Sequence, residues 1–149
     1  MTRREHAVEE FTSGLNCSQA VLAEYAELGG LDPEVGLRLA SGFGGGLGCL
    51  GDTCGAVSGA VMAIGLLLSS PDPRDQVAKM RTYDAVQSFI REFSARHETT
   101  SCRELLGCDI STPDGLLEAR SLGLMETRCV AYVRDAVDIL ETMVLTSAG

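Results

Sequence analysis

Six cysteines, Cys17, Cys49, Cys54, Cys102, Cys108 and Cys129, are the residues of this 149-residue chain best able to do chemistry. With two histidines and no tryptophan, imidazole catalysis and indole stacking have few parts to draw on. Cysteine thiolates can hold a metal or an iron–sulfur cluster, or exchange with disulfides. Those uses compete with plain burial, because an unbridged thiol also packs as a small hydrophobe.

The positions of four of the six carry the most information. Asn16-Cys17-Ser18-Gln19 has the form of a capping box, with Asn16 as N-cap and Gln19 reaching back to it, so Cys17 falls at the first helical position. Ser101-Cys102-Arg103-Glu104 repeats the pattern. Asp52-Thr53 offers an N-cap ahead of Cys54, and Thr127 offers one two residues ahead of Cys129. All four cysteines are therefore expected in the first turn of a helix. Unpaired N–H groups and the positive end of the helix dipole favour a thiolate there and can hold an anionic cluster. Four such turns meeting would form an electropositive, anion-selective pocket. Cys49 and Cys108 instead follow Gly48 and Gly107 in expected loops, and packing or an incidental thiol is the first reading for both.

Several metal signatures are missing. There is no C-x-x-C, which weakens a structural zinc site built from close ligand pairs. Cys49 and Cys54, four residues between them, resemble one piece of a plant-type ferredoxin run without its C-x-x-C piece. No C-x-x-C-H supports covalent haem. Gly46-Leu47-Gly48-Cys49-Leu50-Gly51 spells G-x-G-x-x-G, but no strand precedes it, so it reads as a tight loop and not as a dinucleotide site.

The elements that must position these thiols read as helices almost throughout, since no stretch sustains period-two alternation. The expected fold is an all-α, single-domain helical bundle over residues 1–149, with a central apolar helix preceded by a glycine-rich loop. Helices are expected near Arg3 to Ser13, from Cys17 to Leu28, from Asp32-Pro33 to Ala40 and from Asp72-Pro73 to Arg96. The last of these has an expected buried stripe of Met80, Tyr83, Val86, Ile90 and Phe93. Cys54 to Leu68 is apolar on every side, the mark of a helix surrounded by others, and Gly55 and Gly59 would admit a close neighbour. The final helix, Arg128 to Leu145, carries Cys129, Val133, Val137, Leu140 and Val144 on one stripe.

Twelve Lys and Arg against 21 Asp and Glu give a net charge of -9, which argues against a nucleic-acid or anionic-membrane surface. The charged opening MTRREHAVEE does not look like a secretory signal, and the longest apolar run, Ala56 to Leu68, is too short to span a bilayer. A cytoplasmic protein is expected, where permanent disulfides are uncommon.

The order Cys17, then Cys54-Gly55-Ala56-Val57-Ser58-Gly59, then Cys102, then Cys129 resembles the C-GCAxxG-C-C family. The FGGGLG stretch before Cys54, NCSQAVL around Cys17 and SCRELLG around Cys102 are similar to its flanking motifs, so the resemblance spans nearly the whole chain. It implies a helical, cytosolic, redox-associated protein whose four motif cysteines act together. A similar domain occurs in split-Soret cytochromes, which carry an iron–sulfur cluster as well as haem, and that likeness favours a cluster. Cys49 and Cys108 look like additions to the four-cysteine pattern.

Three readings stay open at this point. Cys17, Cys54, Cys102 and Cys129 could ligate a [2Fe-2S] or [4Fe-4S] cluster for electron transfer or redox sensing, with Cys49 and Cys108 as substitute ligands. Cys54 could be the attacking thiolate of a thiol–disulfide oxidoreductase with another cysteine as resolving partner. The chain could be a structural zinc or other ligand-binding module. The first two call for a redox partner protein, and the glycine-rich loop with the apolar helix could contribute to a homodimer interface.

Overall fold

Side-chain caps set where most of the helices begin. Thr2 and Asn16 form capping boxes with Glu5 and Gln19 and start α1 (Arg3–Thr12) and α2 (Cys17–Ala23). Asp32 caps α3 (Pro33–Ala40), and Asp75 caps α5 (Gln76–His97). Ser101 caps α6 (Cys102–Leu106), and Thr112 caps α7 (Pro113–Ser121). Between α3 and α5, α4 (Gly55–Leu68) starts from Cys54 without a capping side chain. The last helix, α8 (Val130–Ala148), continues from a π-helical turn at Met125–Cys129. The computed structural model describes the backbone of residues 1–148 and the side chains of residues 1–143. Among the described residues there is no strand, and the chain is an all-α single domain. None of the described helices is long and apolar enough to cross a membrane.

The core forms where α4 meets α2, α5 and α8. Val57, Ala60, Ala63 and Ile64 of α4 are buried against Val21, Phe89, Val133 and Val137 of the same core. Two glycines let α2 and α4 touch backbone to backbone. A Cβ on Gly59 would lie 2.6 Å from the Ser18 carbonyl oxygen, and one on Gly55 would lie 3.1 Å from Cys17 Cβ. Since real Cβ atoms do not approach backbone oxygen that closely, the glycines set the separation that puts Cys17 beside the start of α4.

Some boundaries differ from the sequence reading. The α2 helix ends at Ala23, not Leu28, because Glu24 and Tyr25 donate to carbonyls three residues back and tighten the chain into turns that end at Gly29-Gly30. The Asp72 carboxylate accepts from Arg74 N–H and closes a turn, so Asp75 and not Asp72 caps α5. Met80 and Tyr83 are 56% and 54% exposed, because nothing packs over that side of the first half of α5; its buried side chains are Ala78, Phe89 and Phe93. The Thr112-Pro113 start of α7 is a cap signal that the sequence reading passed over. Val144 lies outside the described side chains.

Candidate functional site

The starts of α4 and α6 are tied together by backbone. Thr53 and Ser101 form an isolated antiparallel bridge. Around it Cys54 N–H donates to Thr100 O at 2.7 Å, Cys102 N–H to Asp52 O at 2.6 Å and Arg103 N–H to Gly51 O at 3.0 Å. Cys54 and Cys102, 48 residues apart, are thereby held by hydrogen bonds of their own main chains and not by side-chain packing alone. The glycine-rich loop lies across this junction. Gly46, at φ +70°, has Asp52 N 2.6 Å and Cys102 Cβ 2.7 Å from where its own Cβ would stand, so any side chain there would push the loop off both.

Cys129 arrives by a different route. Thr127 does not cap a helix; its hydroxyl donates to Gly123 O at 2.9 Å inside the wide turn that runs into α8. Cys129 is therefore in a continuous helix, not a first turn, which corrects the sequence expectation. The π turn adds a residue to the helical repeat and re-aims the side chains around it. It is anchored by the Arg128 guanidinium, which donates to Leu106 O at 2.9 Å and Leu105 O at 3.3 Å, and by Tyr132 OH, which donates to Leu105 O at 2.9 Å. These bonds satisfy carbonyls at the end of α6 and fix it against α8. Neither residue stands out in the sequence, because their role depends on a contact over 20 residues away.

Five cysteines, Cys17, Cys49, Cys54, Cys102 and Cys129, line one cavity of about 300 Å³. Leu105, Leu106, Ile110 and Tyr132 supply part of its apolar wall. Cys54, Cys102 and Cys129 are only 4%, 8% and 8% exposed, Cys17 is half-buried, and Cys49 is open to solvent. Cys108 is buried elsewhere; it does not line the cavity, and its charged neighbours are Glu118 and Arg128.

Burial, more than the helix starts, sets the direction of the Cys54 and Cys102 thiols. Burial pushes the Cys54 thiol up to about 11, against the amides of Ala56 and Val57 that pull the other way, and pushes Cys102 up to about 12. The caps explain part of this. The Gln19 and Glu104 amides are taken by Asn16 and Ser101, and the Cys54 and Cys102 amides by Thr100 and Asp52, so these donors do not point at sulfur. Desolvation of a thiolate then outweighs what remains of the helix-end field. Cys17 and Cys129 behave as one unit. A hydrogen bond between them lowers Cys129 and raises Cys17, because a second ionisation would set two thiolates together in a buried space.

Among the described residues no three His, Cys, Asp or Glu side chains stand close enough to hold a single metal ion as they are. A zinc ion needs its sulfurs about 2.3 Å from one point, whereas a polynuclear cluster takes thiolates spread around a larger body. The cavity brings four buried or half-buried thiols to one space with apolar walls.

Fold and site together define an all-α protein whose separate elements turn cysteines onto one enclosed space. The chain belongs to the C_GCAxxG_C_C family: residues 15–143 match the family described as "Putative redox-active protein (C_GCAxxG_C_C)". No curated protein and no solved structure matches the chain.

Proposed function

We propose that Cys17, Cys54, Cys102 and Cys129 hold an iron–sulfur cluster used for electron transfer or redox sensing. The observation that carries this reading is one cavity lined by Cys17, Cys54, Cys102 and Cys129 from four separate stretches of chain, with the fifth lining cysteine, Cys49, exposed, and the redox character of the family in support. A bound cluster would supply one-electron chemistry. The residues of the chain would supply the rest. Cys54 and Cys102, raised by burial, would give up their protons on ligation, since a cationic core would offset the burial penalty. Leu105, Leu106 and Ile110 exclude water from the sulfurs, and Tyr132 closes one side.

The thiol–disulfide reading has in its favour the neighbouring thiols of Cys17 and Cys129, which line one cavity and titrate in opposite directions, Cys17 raised and Cys129 lowered. It moves the reactive pair away from Cys54, whose burial and raised thiol make it a poor attacking group. A homodimer, a redox partner protein and a cytoplasmic location belong to the same proposal.

Iron, acid-labile sulfide and zinc content, with an absorption spectrum, of protein purified and reconstituted without oxygen test the proposal. Brown protein containing iron and sulfide in equal amounts is the expected result. Colourless protein that takes up neither, and that shows a reversible two-electron thiol couple, would favour the Cys17–Cys129 reading.

A further inference from the structure

Of the two histidines in the chain, His6 is on α1 beside Glu24 and Glu10, and His97, at the end of α5, stands behind the cavity wall. The His97 ring meets the Tyr132 ring nearly at right angles, with centroids 4.9 Å apart, and Phe93 is also 4.9 Å away. Tyr132 in turn lines the cavity, its hydroxyl fixed on Leu105 O. Burial holds the Tyr132 phenol above its usual range against the pull of Arg128. Charge on Cys129, Cys54 or Cys102 pushes it the same way as burial, so this ring feels charge in the cavity. His97 Nε2 is 2.8 Å from Asp135 Oδ2, and the two side chains are only 15% and 18% exposed. Arg134 at 3.3 Å and Arg96 at 3.9 Å also face Asp135, and Asp138 pairs with Arg96 and Arg4. With the Asp135 carboxylate already compensated by arginines, a proton on His97 adds net positive charge beside the Tyr132 ring. Cys129, Tyr132 and Asp135 follow at three-residue steps, about 9 Å of helix rise from first to last, so that charge acts on the cavity over a short and mostly buried path.

We infer that His97, held by Asp135 and seated against Tyr132, takes up a proton when an electron enters the group held by the four cysteines, which makes reduction at this site depend on pH. The coupling rests on the cluster proposed for Cys17, Cys54, Cys102 and Cys129. One electron comes from a one-electron donor, and one proton comes from the solvent. With Nε2 committed to Asp135, the proton bonds to His97 Nδ1; Asp135 stays ionised and no other bond breaks. The negative charge added on reduction favours the imidazolium on the far side of Tyr132, and the imidazolium favours the reduced state by the same factor. Oxidation returns the electron to an acceptor and the proton to the solvent.

Full-length protein reconstituted with iron and sulfide without oxygen is titrated with dithionite and redox mediators between pH 5 and pH 8, and iron and sulfide are assayed in the same samples. The midpoint potential is expected to fall as the pH rises, with about half a proton taken up per electron at the steepest point. That uptake follows from a roughly tenfold gain in His97 proton affinity on reduction, the effect of a unit charge about 10 Å away at an effective dielectric constant of about 20. His97→Gln should bind iron as the wild type does and give a potential that no longer changes with pH, whereas His6→Gln should keep the wild-type slope. A wild-type potential independent of pH, or a slope that survives in His97→Gln, would overturn the coupling and leave the cluster standing. Loss of iron from His97→Gln would make His97 a support for Tyr132 and overturn its role as proton acceptor. Wild-type samples holding neither iron nor sulfide would overturn the cluster, and the coupling with it.

Discussion

The two parts of this molecule are built in different ways. Along the helical wall, α1, α5 and α8 join by side-chain packing. Phe89 and Phe93 stack at 6.0 Å inside it, and ion pairs such as Arg3–Glu141 and Arg96–Asp138 run along its outside. At the cysteine end, short helices, a π turn and a loop with six left-handed residues between Gly45 and Gly51 are joined mainly by backbone contacts. The wall tolerates any side chain of suitable shape, so it carries stability. The cysteine end depends on absent side chains and on individual amides, so it carries geometry. Substitutions should separate the two.

The largest stability loss is expected in the wall. Phe89→Ala leaves a cavity at a fully buried ring and should cost about 3 to 5 kcal/mol in urea unfolding. Under conditions where the variant is still folded, alkylation of the cavity thiols should stay near the wild-type rate.

Gly59→Ala should lose less stability and disturb the site more. The added methyl meets the Ser18 carbonyl oxygen at 2.6 Å and drives α2 from α4, at a net cost of about 1 to 3 kcal/mol even after the gain in helix propensity. Faster alkylation of Cys17 is the accompanying sign.

An alkaline titration should show the effect of buried thiols directly. Cys54 and Cys102 rise from an ordinary value of 9.0 to about 11 and about 12 on folding, so the unfolded chain ionises first. Their contribution to stability is fully present below pH 9 and is lost as the pH rises through 11 to 12. Cys129 is lowered and acts in the opposite sense, but its neighbour Cys17 is raised. The midpoint of urea unfolding of metal-free protein should therefore fall over this range, and Cys54→Ser should flatten the fall.

Arg128→Ala should have the smallest effect. It removes two bonds to the carbonyls of α6 from an exposed side chain, at about 1 kcal/mol, and should speed alkylation of Cys102 more than that of Cys54.

What was legible in the sequence follows the same division. The all-α class, the Asn16–Gln19 capping box and the Ser101 cap can be read because each depends on residues three or four apart. The Thr53–Ser101 bridge cannot, since nothing local announces a pairing across 48 residues. The π turn that carries Cys129 inward looks like a new helix start in the sequence because Thr127 has the chemistry of a cap, and only the fold shows its hydroxyl committed to Gly123. The raised Cys54 and Cys102 thiols are not legible for a related reason. Helix-end amides are countable in a sequence, but whether caps consume them and how deeply the sulfurs are buried are properties of the packed chain.

The iron content of six reconstituted single Cys→Ser variants tests most directly whether Cys17, Cys54, Cys102 and Cys129 hold a cluster. Cys17→Ser, Cys54→Ser, Cys102→Ser and Cys129→Ser should each lose most of the bound iron, while Cys49→Ser and Cys108→Ser should keep it. Full iron in any of the first four, or loss in Cys108→Ser comparable to theirs, would contradict it.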